Sequence, residues 1–427
     1  MDVQRRAAVV LALEIEYQHQ LLIVRRRLLQ RRARRWWVKP WLTPARRLEY
    51  GHYNRLMQDL RVEDENAFAN YVRMPAHMFD ELLNRISPVI QRRDTHMRPA
   101  LDAGIKLAMT LRHLATGDGY RTLQYDFRCG YCMVVWSVQE VCQAIIQELK
   151  DDVMPLPRTK EDWKAIAQQF QERWNLPHAL GALDGKHIAI RKPQNSGSVF
   201  YNYKGFFSVV LLALVDADYK FIWIDTGGEG HQSDAQLFGA SELKECIDDN
   251  TINFPDSDPL PSDNRDTPYY ILGDDAFPLR TFLMKPYGRR ALDNDMLVAN
   301  YKFSRGRRVV ENGFGILANR WRCFQGTLEQ GPDVVRLLVE TGVILHNLLR
   351  IRFPAIGNAE VDQEEEEHNI IPGAWRADQH LQEIPQFNAP NRDNREGKVM
   401  RDYIKAFFNS EAGSVPWQER LAGVNLN

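Results

Sequence analysis

Along the first 175 residues, apolar side chains recur every three or four positions; after that the period shortens. "MFDELLNRISPVI" (78–90) and "ALDAGIKLAMTLRHLATG" (100–117) carry the stripe of a helix with one buried face, and Gly117 stands where the second should stop. "DWKAIAQQFQERWNL" (162–176) is a third such helix, closed by Pro177. From about residue 178 the runs "KHIAI", "FFSVVLLALVDADYKFIWID" and "PYYILGDD" are β-branched, aromatic or apolar, with turn residues between them. The middle run predicts a hairpin in which Asp216 and Asp218 serve the turn. Residues 248–267, rich in Pro, Asp and Ser, predict a loop, and helices follow over 305–321 and 332–350. Strands followed by helices that cover them predict a mixed α/β layer fold behind a helical first part.

Four regions emerge: a basic arm over 1–50, a helical region over 51–177, the α/β region over 178–350, and a tail over 351–427. The tail is acidic ("DQEEEEH", 362–368) and predicts a largely disordered segment with one helix over 397–410. At 427 residues, 44% hydrophobic and 26% charged, the chain can build a sizeable core. Its formal net charge of −1 conceals asymmetry, because residues 1–50 hold eleven Arg and Lys39 against four acids. Within that arm "VRRRLLQRRARRWWVKPW" (24–41) gathers seven Arg and three Trp. One-signed, unpaired charge of this kind suits a polyanion such as DNA and serves equally as a nuclear-localisation signal. Trp36, Trp37 and Trp41 are read as docking the arm onto the helical region rather than stacking on bases.

Five cysteines form no disulfide framework, which suggests a reducing compartment; Cys129 and Cys132 make a CxxC without a second pair and read as packed thiols. No run of eighteen apolar residues predicts a membrane span, and "AAVVLALEIEYQHQLLIV", broken by Glu14, Glu16 and His19, reads as a helix rather than a signal peptide.

Acids at element boundaries carry the candidate chemistry. Asp184 lies in the first strand, Asp234 in the Gly-rich turn "GGEGHQSDAQLF", and Asp274 ends "YYILGDD". Glu311 lies one position from the stripe Val310, Phe314, Leu317 and Trp321, on the shoulder of a core-facing helix. Each has a bland reading: Asp184 as a turn cap, Asp234 as a helix N-cap, Asp274 as a strand-end solvator, Glu311 as a partner of Arg307. Together on one sheet-plus-helix unit they would repel one another unless a divalent cation neutralised them. Hard carboxylate oxygens suit Mg²⁺ or Mn²⁺, and paired ions about 3.5–4 Å apart can clamp both oxygens of a phosphodiester exchange.

The motifs "GALDGKHIAI", "GSVFYNYKGFFSVVLLALVDADYKF", "GGEGHQSDAQLF", "ILGDDAFPLRTFLMKPY", "NYKFSRGRRVVENGFGILANRWRCF" and "GVILHNLLR", in this order, resemble the PIF/Harbinger transposases and their domesticated nuclease relatives. The likeness runs from about Trp36 to His346. It implies an RNase H-like DDE catalytic domain behind a helix-turn-helix-like helical domain. It also implies Asp184, Asp274 and Glu311 as catalytic residues that hold the metal, with Asp234 as a further metal ligand or a group that orients the ligands. Asp274 and Glu311 are 37 positions apart, near the usual DDE spacing. Asp275 stands where the family varies; strand neighbours point to opposite faces, so Asp274 is the expected ligand. Lys186 and His187 are candidate phosphate contacts, while His346 reads as a core histidine. The chain departs from the family after "LATG", where "FRCGYCMVVWSVQEVCQAI" sets Cys and Trp at positions that otherwise face DNA.

The expectation is thus a Mg²⁺- or Mn²⁺-dependent DNA endonuclease or transposase acting in the nucleus, with the cytoplasm as a second location. A DNA-binding scaffold that keeps the fold without cleavage, and a two-metal phosphoesterase for RNA or nucleotides, stand as alternatives. By resemblance a Myb-like DNA-binding partner is implied, with the tail and its helix as candidate contacts. No membrane partner is expected, and a homo-oligomer is possible.

Overall fold

The computed structural model describes residues 2–29, 38–96, 99–288, 290–354, 362–365, 370–373 and 393–424. Trp36 and Trp37 lie outside the described residues, whereas Trp41 stacks on Tyr125 with ring centroids 5.6 Å apart.

Helix α1 (Asp2–Leu29) leads to a short α2 (Pro44–Tyr50). The expected helices form as α3 (Ala76–Ile90) and α4 (Ala103–Thr116). Asp102 caps α4 by accepting from the Gly104 and Ile105 amides, and Gly117 closes it at φ +76°, a left-handed conformation that costs glycine little. Helices α5 (Tyr120–Asp126) and α6 (Tyr131–Val153) turn by 104° across residues 127–130, the angle and turn length of a helix-turn-helix pair. Cys129 is buried there but Cys132 is exposed, so only one of the CxxC thiols is packed. No single helix among the described residues is long and apolar enough to cross a membrane.

Helix α7 (Lys160–Trp174) precedes a sheet built from β1 (Ala179–Ala189), β2 (Ser208–Val215), β3 (Phe221–Glu229), β4 (Tyr270–Leu272) and β5 (Leu283–Met284). Its spatial order is β3-β2-β1-β4-β5, the first three antiparallel and the last two parallel to β1. This is the mixed α/β, RNase H-like architecture that the strand pattern and the resemblance led us to expect. The β2–β3 hairpin closes as foreseen, with the Asp216 carboxylate accepting from the Asp218 and Lys220 amides at 2.8 and 2.9 Å.

Every residue of β2 is buried, so both faces of the sheet are covered. Val210, Leu212 and Leu214 meet Trp163 of α7 and the pair Leu237 and Phe238 on one face. Val209, Leu211, Ala213 and Val215 meet α9 (Asn294–Arg320) and α10 (Pro332–Arg352) on the other, the short α8 (Asp234–Gly239) lying on the first face. Helix α9 begins eleven residues before the expected 305, because Asp293 caps a polar first turn by accepting from the Met296 amide at 2.7 Å. Gly306 lets α9 settle onto the sheet: a β-carbon there would come within 2.6 Å of Leu272 Cδ1. His346 of α10 is the core histidine expected, its Nε2 held 2.8 Å from the Tyr219 carbonyl and its pKa lowered by burial to about 3.

The tail differs from expectation where it is described. Much of 355–392 lies outside the described residues, but α11 (Arg395–Phe408) turns Met400, Ile404, Phe407 and Phe408 into the core. Phe408 meets Phe303 of α9 edge-on at 5.5 Å, and the Tyr287 hydroxyl donates to Asp402 at 2.6 Å. The apolar face of this helix is thus covered within the chain, while Arg395, Glu396, Lys398 and Val399 stay exposed. Phe408→Ala should therefore destabilise the chain by about 3–5 kcal/mol in urea unfolding; an unchanged midpoint would mean the helix does not dock.

Candidate metal centre

The sheet register sets the site. Ala182 of β1 pairs in parallel with Leu272 of β4, so Asp184 and Asp274, each two residues further on, come side by side. Alternation along β1 sends Leu183 to the α7 face and Ala182 and Asp184 to the α9 face. Asp274 is 9% exposed and fixed by its own backbone, its Oδ1 accepting from the Ala276 amide at 2.8 Å. Asp275, in the turn that follows β4, faces solvent, which agrees with the choice of Asp274 although both lie past the strand's end.

Asp234 arrives from the opposite face as the first residue of α8. The N-cap of that helix is Ser233, in a capping box with Gln236, so the capping role considered for Asp234 is filled by its neighbour. Gly185 provides the opening: a β-carbon there would collide with the Asp234 carboxylate. The result is a group of three carboxylates, Asp184, Asp234 and Asp274, each able to offer an oxygen, with these oxygens all within 4.8 Å of one another.

Glu311 stands beside this group, not in it. Its Oε1 accepts from Arg307 Nη2 at 2.5 Å, one turn back on α9, and Arg307 Nη1 lies 4.0 Å from Asp184 Oδ2. The Arg307–Glu311 pairing considered in the sequence is thus a largely buried bridge between two of the four acids.

Electrostatics follow from the crowding. Burial pushes the Asp184 carboxyl well above its usual range; Arg307 opposes this, and Asp274, Asp234 and Glu311 add to it. Burial and the charge of Asp274 raise Asp234 to about 7 despite Lys204 nearby. The same burial lowers His187 to about 4, with Lys204 and Lys186 adding repulsion, and its Nδ1 lies 2.9 Å from Ser208 Oγ. A neutral, inward-bonded His187 is poorly suited to the phosphate contact suggested for it. Lys204 and Gly185 were given no role by sequence reasoning; the only signal was a glycine directly after a strand aspartate.

Three hard oxygens drawn together from separate elements, and reluctant to ionise alone, fit a divalent cation in donor type and charge.

Comparison with known proteins agrees with this geometry. Residues 183–347 match the DDE superfamily endonuclease family, a segment that contains all four acids. "Protein ALP1-like" of Arabidopsis thaliana is 23% identical over 248 residues, covering 57% of this chain and 60% of its own. "Putative nuclease HARBI1" is 22% identical over 306 residues in Xenopus laevis, covering 70% of this chain and 83% of the relative. The Homo sapiens protein of that name is 24% identical over 260 residues, covering 58% and 69%. The chain spans less than two thirds of the length of the first of these relatives. No solved structure matches it significantly. The resemblance to Harbinger-type DDE enzymes and their nuclease relatives is thereby borne out.

A carboxyl whose pKa is raised by folding favours the folded state while protonated. That stability is complete below about 3.8 and, for Asp234, is lost as pH rises through about 7. In chelator, Tm should fall over this window beyond what an Asp234→Asn variant shows, and Mg²⁺ should stabilise the chain more at pH 7.5 than at pH 5. Equal Mg²⁺ effects at both pH values would contradict a cation site built from these groups.

Proposed function

We propose that the chain is a divalent-cation-dependent DNA endonuclease or transposase of the DDE type. The observation that carries this reading is the meeting of Asp184, Asp234 and Asp274 from three separate elements within 4.8 Å, on an RNase H-like sheet. In it, Asp184 and Asp274 hold the cation from adjacent strands, and Asp234 completes the set through the opening at Gly185. The cation, or the pair used by DDE enzymes, supplies charge neutralisation at the phosphodiester and a lowered pKa for attacking water. Glu311 would be a further holder of the cation, and Arg307, which now pairs with it, would then be available to a phosphate oxygen. Lys186 and Lys204, half-buried beside the acids, and exposed Tyr201 and Tyr203 on the adjoining loop offer charge and aromatic surface to a DNA backbone. No covalent intermediate with the protein is required. A nuclear site of action and a Myb-like partner accompany this reading through the resemblance and the arginine run.

One observation favours a second reading. Arg307 already neutralises Glu311 and approaches Asp184, so the fold has an internal counter-ion and could persist as a DNA-binding scaffold that does not cut.

Plasmid nicking with Mg²⁺ or Mn²⁺ separates the two. The nuclease reading expects Asp184→Asn and Asp274→Asn to lower cleavage at least about 100-fold, with DNA binding retained. No turnover with either metal, beside salt-sensitive DNA binding that ignores Asp184→Asn, supports the scaffold. Cleavage of RNA in preference to duplex DNA, in parallel reactions, would contradict both.

A further inference from the structure

A second candidate site lies in the helical region and shares no residue with the acidic group. A cavity of about 210 Å³, open to solvent on one side, lies between α2, the segments on either side of residues 97–98, α4 and the start of α6. Arg47, Arg92, Arg93 and Lys106 line it together with Thr95 and Cys129, and among the described residues no acid does.

Two of these cations are buried: Arg47 is 9% and Lys106 2% exposed. Lys106 is satisfied by the Ile90 carbonyl at 2.6 Å and the Glu140 carboxylate at 2.8 Å. Glu140 is shared, since it also takes Arg92 at 2.6 Å. Arg47 has no such acid. Its Nε donates to the Arg128 carbonyl at 3.2 Å, and its two terminal nitrogens meet no hydrogen-bond acceptor among the described residues. Arg93, exposed at the rim, likewise has no acidic partner among them. A guanidinium held at its Nε, with its fork open to a cavity, presents two parallel donors to an incoming anion.

The backbone adds to the same polarity. Helix α6 runs 23 residues and starts at this cavity, with Cys129 just before its N-cap and Met133 in its first turn among the lining residues. Its N-cap is Gly130, which supplies no side-chain acceptor, so the amides of the first turn have no capping partner from that residue.

We propose that this cavity is a phosphate-group site, in which the Arg47 fork and the α6 amides hold the oxygens and Arg93 closes over them from the rim. The phosphate comes either from a DNA backbone or from a free phosphorylated ligand. The first source rests on the DNA-enzyme reading above; the second does not.

The test uses the full chain, with inorganic pyrophosphate and a duplex as probes, across a salt series. Arg47→Gln removes the fork that faces the cavity, and Arg93→Gln, at an exposed position, guards against a folding defect. A free ligand is supported if pyrophosphate binds and both variants weaken it about 10- to 100-fold. A backbone phosphate is supported if pyrophosphate does not bind but both variants weaken duplex binding equally across sequences and flatten the log–log salt slope by about 0.9. Either variant binding both probes as the parent does overturns the proposal. Repeating the binding series in chelator keeps the two readings apart: Arg47→Gln and Arg93→Gln should weaken binding there by the same factor, whether or not the parent cleaves DNA with Mg²⁺.

Discussion

Mutual repulsion among three crowded carboxylates is the constraint on which this molecule turns. Asp184, Asp234 and Asp274 cannot all ionise within 4.8 Å in a partly buried site without a compensating charge. Protons, the Arg307 guanidinium and a divalent cation are the three available counter-charges, and the first two are visible in the raised carboxyl pKa values and in the bridge on α9. An arrangement that costs stability, yet is assembled from a strand, a strand end and a helix start, is difficult to explain by folding alone. Cation chemistry explains it directly.

The fold supplies the precision. Parallel pairing of β1 with β4 fixes two of the acids to one register, and a slip of one residue would send Asp184 to the other face. Gly185 admits the third acid from across the sheet, and Gly306 lowers α9 until Arg307 and Glu311 reach the same place. The apolar layers on both sides of β2 make these positions stiff, so the carboxylates cannot relax apart. Stability elsewhere in the domain, including the docking of α11 on α9, thereby holds the repulsive centre together.

Much of this was legible along the chain. Helices α3, α4 and α7 followed from apolar spacing, the β2–β3 hairpin from its turn aspartates, and the acids from their placement at element boundaries together with the resemblance. What escaped was set by contacts distant in sequence. The first three turns of α9 are polar outside and owe their order to the Asp293 cap and to packing. Burial of α11 depends on Phe303, about a hundred residues earlier. The burial of the Arg307 bridge comes from the sheet beneath it, which the i, i+4 spacing alone does not reveal. Capping by Ser233 freed Asp234, a distinction that two adjacent polar residues do not reveal on their own.

The central claim is that these three aspartates share a cation, and diffraction from crystals grown with Mn²⁺ reads it most directly. Anomalous scattering should show manganese bound between Asp184, Asp234 and Asp274, with Glu311 released from Arg307. Manganese found only at other sites, or an Arg307–Glu311 bridge intact beside an acidic group empty of metal in a protein that nonetheless cleaves DNA, would contradict it.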